Sequence, residues 1–407
     1  MARGRADGAT LSLPWPAGER ARRLPSADGW ILAIAVLLAL FGLVMVYSAS
    51  AVVAGSRFHD WTYFLKRQVA WLALGFLLLH LASRLDYTLW QRWTGPILVI
   101  TFILLIAVLI PALGITAKGA RRWLRFGPVS VQPAEIAKFV MVFYLASYLT
   151  RKETRLQDFK SGVLPPLIVV GLAAGLILLQ PDMGTVVVVG LVTMGLLFVA
   201  GARPAHLIGL VLVALPVGAA LILSSPYRRQ RLLTFLEPWK DPEAAGFQVT
   251  QSFLAFGSGG PFGLGLGESR QKLFFLPEAH TDFVLALVGE ELGLVGTVLL
   301  MLLFAALVLR GFLVASRAQH PFGRHLAQGI TLLFGLQALI NAGVVTGMLP
   351  TKGLTLPLVS YGGSSLVMSL LGIGILLNIS RDRQGGRFAR MGPEAGRGTV
   401  LRGYARR

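Results

Sequence analysis

The sequence predicts an all-α polytopic membrane protein of about ten transmembrane helices, with a long extracytoplasmic loop before the eighth. Three observations predict it. Of 407 residues, 55% are hydrophobic and only 14% charged, and the mean hydropathy is +0.68. Soluble domains do not have that composition, nor do disordered or collagen-like chains. Apolar runs of spanning length recur along the chain, and hydrocarbon leaves backbone polar groups no partners except within helices or closed barrels. Cysteine is absent, which removes disulfide scaffolds, thiolate metal sites and cysteine nucleophiles.

Taken in order, the runs fall at 30–49, 68–83, 95–113, 133–149 and 162–180, then at 184–201, 205–224, 283–309, 325–347 and 356–379. The first is too long and too far from the start to be a simple signal peptide, so it counts as a span. An even number of spans puts both termini on one side. Arg and Lys gather in 1–29, in 151–160 and after 380, and the positive-inside preference makes that side cytoplasmic. The chain thus divides into a basic cytoplasmic extension (1–29), a membrane domain (30–380) and a basic cytoplasmic tail (381–407) whose Arg/Gly-rich composition reads as disordered. The one long outer loop, 225–281, holds five prolines, a glycine cluster and two amphipathic pieces, Leu232–Leu236 and Phe247–Phe256. Such pieces are expected to lie along the membrane surface. No internal repeat is evident.

The formal charge of +19 sits oddly on so apolar a chain. Anionic lipid accounts for the inner cations. It does not account for the outer ones, where Lys118, Arg121, Arg122 and Arg125 form one patch, Arg228, Arg229 and Arg231 a second, and Lys352 stands apart. Headgroup snorkelling is the bland explanation. Two patches on the face that should be poor in cations point instead to a bound phosphate or pyrophosphate, hence to a lipid-linked anionic substrate. No nucleic-acid partner is expected.

Ionisable groups at membrane depth are costly unless paired or used. Glu135 and Lys138 lie three apart on one face of the fourth span, as a self-neutralising pair or a functional one. Asp182, in Gln180-Pro181-Asp182-Met183-Gly184, lies between two spans, where it could cap the sixth helix. Asp282, in Leu276-Pro277-Glu278-Ala279-His280-Thr281-Asp282-Phe283, could likewise be a cap, with Thr281 as a rival. Glu290 and Glu291 lie about two turns deeper, with no obvious sequence-local cation, and one is expected to face a polar interior. Gly263-Leu264-Gly265-Leu266-Gly267 lacks the preceding strand and following Lys-Ser/Thr of a phosphate loop, and reads as a flexible turn at the membrane surface.

These motifs, together with Lys118-Gly-Ala-Arg-Arg-Trp123 and the stretch from Leu349 through Thr351-Lys-Gly-Leu-Thr-Leu-Pro357 to Ser365, resemble those of the SEDS family (shape, elongation, division, sporulation). The likeness runs from about residue 30 to 380, and the Thr351–Pro357 stretch and polar N-terminal extension look like the division branch rather than the elongation branch. The resemblance implies peptidoglycan glycosyltransfer on lipid II at the inner membrane, in partnership with a class B penicillin-binding protein at the division septum alongside other divisome membrane proteins. By motif match Asp282 stands where the family has its essential aspartate, and Glu135, Lys138 and Asp182 match its other functional outer-face residues.

Joining two sugars needs a base for the attacking hydroxyl and a stabiliser for the departing lipid pyrophosphate. Asp282 is the expected base, with Glu135 and Lys138 orienting the site. Asp182, Lys118, Arg121, Arg122, Arg228, Arg229, Arg231, His280 and Lys352 are the expected substrate-binding set. Mg²⁺ or Mn²⁺ would suit phosphate and carboxylate oxygens, and the residues that would hold it are left unassigned. A lipid flippase is the alternative, but the polar groups gather at the outer face and no inverted halves are visible; a non-catalytic scaffold for division partners is the third reading.

Overall fold

The computed structural model describes residues 27–381 apart from 118–119, 128, 241–245, 274 and 277–278. The basic extension up to residue 26, the tail after 381 and Lys118 lie outside the described residues. The order is α1 (Gly29–Phe58), α2 (Tyr63–Arg84), α3 (Thr88–Ala107), β1 (Gly114–Ala117), β2 (Ala120–Phe126), β3 (Val129–Val131), α4 (Pro133–Lys152), α5 (Leu164–Leu179), α6 (Met183–Val199) and α7 (Pro204–Leu223). There follow α8 (Pro226–Leu236), α9 (Phe247–Gly259), α10 (Val284–Glu291), α11 (Gly293–Arg317), α12 (Pro321–Val345) and α13 (Gly363–Arg381).

Among the described residues, eight helices are long and apolar enough to cross a membrane: α1, α2, α3, α5 with its leading turn from Phe159, α7, α11, α12 and α13. Of the other two expected runs, α6 is apolar but shorter. α4 is long yet carries Glu135, Lys138, Arg151 and Lys152. The centre of the bundle is α12 and α13, whose most apolar windows are 67% and 72% buried; α7, at 6%, is the periphery. α13 lies close against α2 because glycines leave room: a Cβ on Gly75 would stand 2.4 Å from Leu370 Cδ1, and one on Gly374 2.5 Å from Leu79 O. Small residues allow membrane helices this approach.

Three sequence expectations change. The fold is not wholly helical, since residues 114–131 form a three-stranded antiparallel sheet ordered β1-β2-β3, with Gly114 opposite Leu124 and Leu124 opposite Val131. The helical run at 283–309 is two helices, broken where Gly293 takes φ +69°. And the glycine cluster is no loose surface turn but the fastening of that break. Leu264 and Gly265 donate their amides to the α10 carbonyls of Glu290 (2.9 Å) and Glu291 (3.0 Å), while Leu294 and Val295 of α11 donate to Gly260 (2.9 Å) and Pro261 (3.1 Å). Every helix end leaves orphan groups, and a break at membrane depth survives only when neighbouring protein satisfies them.

The two glutamates at the break finish the fastening, and both are fully buried. Glu290 accepts from Ser269 Oγ and from the amides of Arg270 (2.9 Å) and Gln271 (3.4 Å). Glu291 accepts from Ser48 Oγ of α1 at 2.5 Å and pairs with Lys272 at 3.5 Å. The cation of Glu291 was in the long loop, too far along the chain for local spacing to reveal. The amphipathic piece around Phe247 is correspondingly not a bare surface helix: α9 buries Val249, Ser252 and Ala255, and Ser252 Oγ donates to Val345 O at 2.7 Å.

Candidate functional site

A cavity of about 550 Å³ opens between the sheet, the segment entering α10 and the chain from 351 to 365. Each wall is a local consequence of sequence. Gln132-Pro133 starts α4, with proline at a position where a helix needs no amide donor. This brings Glu135, in the first turn, to the cavity. Lys138, one turn on, is 1% exposed and lies behind it, 2.8 Å from Glu135 Oε1 and 3.0 Å from Gln337 Oε1. The pair is thus buried and hydrogen-bonded, the condition under which such a pair is tolerated.

Asp282 lines the same cavity. The cap of α10 is Phe283, which makes no side-chain capping bond, so neither Asp282 nor Thr281 serves as the expected cap. An α-carbon substituent on Gly353 would stand 3.2 Å from Asp282 Oδ2 and 3.9 Å from Arg122 Nη1. The carboxylate and the guanidinium therefore flank one bare stretch of backbone.

Strand register and helix periodicity divide the cationic patches. On β2 the register against β1 shifts, with Thr116 opposite Arg121 and Ile115 opposite Trp123; Arg122, between them, lines the cavity together with Trp123, while Arg121 is exposed and donates to Thr116 Oγ1 at 3.2 Å. Arg122 donates to Gln180 O at 3.0 Å and to Pro181 O, tying the sheet to the turn that holds Asp182. On α8, Arg228 and Arg231 are three apart and share a face. Arg231 lines the cavity and donates to Thr351 O at 3.2 Å, and Arg228 donates to Leu221 O at 3.0 Å. Arg229 is exposed and lines neither this cavity nor its neighbour. Lys352 completes the cationic rim; burial holds its ammonium below the ordinary lysine range.

Asp182 caps α6, accepting from Thr185 N (3.1 Å) and Thr185 Oγ1 (2.9 Å), with Gln132 Nε2 at 3.4 Å. The capping expectation is met. Asp182 also borders a second, smaller cavity of about 80 Å³, shared by Arg122, Arg228, Arg231 and Lys352 and otherwise walled by apolar groups such as Ile222 and Leu232. His280 lines neither cavity. Its ring packs 4.9 Å from Phe64 and 5.7 Å from Tyr361, supporting Tyr361 as a cavity wall. Burial raises the Tyr361 phenol above its usual range, with Arg67 opposing the shift.

Sequence reasoning gave no role to Arg67, Trp71, Trp123 or Tyr361, all of which line the cavity. Nor did it single out Gln337 and Asn341, buried polar residues on α12. A signal existed for the last two: amides inside a strongly apolar run are as unexpected as charges.

No group of three or more His, Asp or Glu side chains that could cage a metal exists among the described residues. One or two carboxylates at the cavity are nonetheless the donor set that Mg²⁺ takes when phosphates supply the rest.

A profile of the cell cycle protein family of FtsW, RodA and SpoVE matches residues 29–385. The chain is 50% identical over 355 residues, 87% of its length and 95% of the relative's, to a probable peptidoglycan glycosyltransferase FtsW of Geobacter metallireducens. It is 44% identical over 356 residues, 88% and 97% of the two lengths, to stage V sporulation protein E of Bacillus subtilis. In structure it is similar to a chain from a peptidoglycan synthase complex studied for the coordination of polymerization and crosslinking, with TM-score 0.73, 34% identity and coverage of 88% and 99%. It is also similar to the rod shape determining protein RodA of Thermus thermophilus, with TM-score 0.63, 30% identity and coverage of 88% and 98%.

Proposed function

We infer the function from one premise: the chain belongs to the cell cycle protein family of FtsW, RodA and SpoVE. It lies on the FtsW branch, is a multi-pass inner-membrane protein, and acts as a peptidoglycan glycosyltransferase that polymerises glycan strands in cell division. The finer reading concerns substrate, residues and assembly. Lipid II is the substrate, an undecaprenyl pyrophosphate is released, and the work is done at the septum beside a class B penicillin-binding protein and other divisome membrane proteins. Ten spans, the eight apolar helices with α4 and α6, keep both termini cytoplasmic.

The observation that carries this reading is the cavity in which Asp282 and Glu135 meet Arg122, Arg231 and Lys352. An acceptor sugar hydroxyl attacks the anomeric carbon of the donor. The new glycosidic C–O bond forms as the bond to pyrophosphate breaks, and the hydroxyl proton passes to Asp282. Arg122, Arg231 and Lys352 hold the charge that develops on the leaving phosphate oxygens, with Arg228 and Asp182 beside the adjoining apolar cavity where the lipid begins. Because nucleophile and leaving group occupy opposite sides of the carbon, the centre inverts. Glu135, fixed by Lys138, orients the site. A bound Mg²⁺ or Mn²⁺ would be held by Asp282 and substrate phosphates, and would supply further neutralisation of the leaving group.

The test uses the purified protein with its transpeptidase partner and fluorescently labelled lipid II, resolving products on a gel. Wild type should build glycan chains and Asp282→Ala should not. Chains from Asp282→Ala at the wild-type rate would sink the assignment of the base, and lipid II crossing vesicles without polymerisation would favour transport.

A further inference from the structure

We propose that Asn341 and Gln337 of α12 are positioning residues that set Asp282 and the segment from 351 to 355 against each other across the cavity. The inference rests on the glycosyltransferase reading above and deepens it. The two amides are four residues apart and so lie one turn apart on one face, and both are buried, at 1% and 3% exposure. Asn341 Nδ2 donates twice, to Asp282 O at 2.9 Å and to Leu354 O at 2.7 Å. Gln337 Nε2 donates to Thr355 O at 2.8 Å, and its Oε1 accepts from Lys138 Nζ at 3.0 Å.

The four bonds join three segments that have no regular secondary-structure bonds to one another. Asp282 and Thr355 are themselves cavity walls, Leu354 adjoins the wall residue Gly353, and Lys138 holds the wall residue Glu135. The face of α12 that reaches them belongs to one of the two most buried helices of the bundle. Asn341 acts only as a donor here: its own oxygen is buried without a hydrogen-bond partner among the described residues. What it supplies is a double clamp that fixes the spacing between the Asp282 carbonyl and the Leu354 carbonyl. The Asp282 carboxylate projects from that fixed backbone toward Gly353. Neither amide lines the cavity, so both act through the groups they hold.

Displacing a reacting group by about 1 Å lowers a rate by about a hundredfold, and loss of a supporting hydrogen bond by about ten- to a hundredfold. The experiment measures steady-state polymerisation of labelled lipid II by the full-length protein in complex with its transpeptidase partner, for wild type, Asn341→Ala, Asn341→Ser and Gln337→Glu. Thermal unfolding in detergent is recorded for each. Asn341→Ala should lose about ten- to a hundredfold in kcat with KM for lipid II within about threefold of wild type. Asn341→Ser, which retains one donor, should recover part of that loss, and Gln337→Glu, which keeps the Lys138 contact but surrenders the bond to Thr355, should lose less than Asn341→Ala.

If Asn341→Ala fails to fold, the Ser and Glu variants carry the same comparison. Unchanged kcat in all folded variants overturns the proposal. So does a rise in KM at constant kcat, or a kcat loss that merely tracks the unfolding temperature across the series. A wild-type complex that makes no glycan overturns the activity itself, a failure distinguishable from the others because it appears before any substitution.

Discussion

The wall of the cavity that carries Asp282 and Glu135 leans on α4, α10 and α12, where Lys138, Gln337 and Asn341 are each almost completely buried; the wall that carries Arg231 stands on α8, joined to α7, whose apolar window is 6% buried. The difference follows from what each wall must do. A proton acceptor works only within hydrogen-bond reach of its proton, so its backbone has to be held. A leaving pyrophosphate spreads its charge over several oxygens, and long arginine side chains can meet it from a less rigid support. Changes on the first wall should therefore lower turnover or stability, and changes on the second should weaken binding.

The largest effect expected is from Asp282→Asn. Removing the proton acceptor should reduce kcat by about 10²- to 10⁴-fold, with KM and the unfolding temperature close to wild type. A large KM change with kcat preserved would put Asp282 on the binding side of the comparison.

Next comes the buried ion pair. Glu135→Gln or Lys138→Met alone strands a partner in a site where the side chains are 8% and 1% exposed, at a cost of about 3–5 kcal/mol, readable as a fall in unfolding temperature. The double variant should recover most of that stability, because neither charge is then left alone. It should not recover kcat, since the group that faces the cavity is still missing. Recovery of both would reduce Glu135 to a structural partner.

How much of these walls could be read in the sequence depends on the range of the interactions that build them. Glu135 with Lys138 was legible because helix geometry pairs residues three apart. Eight of the ten expected spans were legible because hydropathy is a local sum. The split of the cationic patches was half-legible: spacing on α8 separates Arg229 from Arg228 and Arg231, whereas separating Arg121 from Arg122 required a strand where a loop was expected. The pairing of Glu291 with Lys272 and Ser48 and the reach of Asn341 to Asp282 were illegible, because both bridge chain segments that only the folded bundle brings together. The break before Gly293 hid for a different reason. Its glycine follows Glu290 and Glu291 in a stretch whose summed hydropathy still reads as one span, and only the loop amides that satisfy the broken ends disclose it.

On the cationic wall, Arg231→Ala should raise KM for lipid II by about tenfold, the order of one charged hydrogen bond, with a smaller change in kcat. Arg229→Ala, one residue from Arg228 but outside both cavities, should stay within about twofold of wild type in both constants. Equal effects from the two would mean that bulk surface charge governs binding, and the directional split of α8 would then have no functional content.

The smallest effect separates Lys352 from the arginines around it. Burial opposes its ammonium, so its proton leaves at a lower pH than an ordinary lysine's. Below that pH the group is charged and can hold a phosphate oxygen; as pH rises through it, the rim loses one cation while Arg122 and Arg231 keep theirs. The free protein's value governs kcat/KM, which should fall on the alkaline side earlier than an unburied lysine would allow. An anion seated beside the amine favours its protonation, so the corresponding fall in kcat should come at higher pH. Lys352→Arg keeps a charge at every accessible pH and should push the kcat/KM fall upward, while changing neutral-pH rates by about threefold or less, since arginine is also bulkier and differently shaped. Burial shifts the Tyr361 phenol the opposite way, above its usual range. An alkaline limb that does not move in Lys352→Arg would exclude Lys352 as its source and return the whole of leaving-group stabilisation to the arginines.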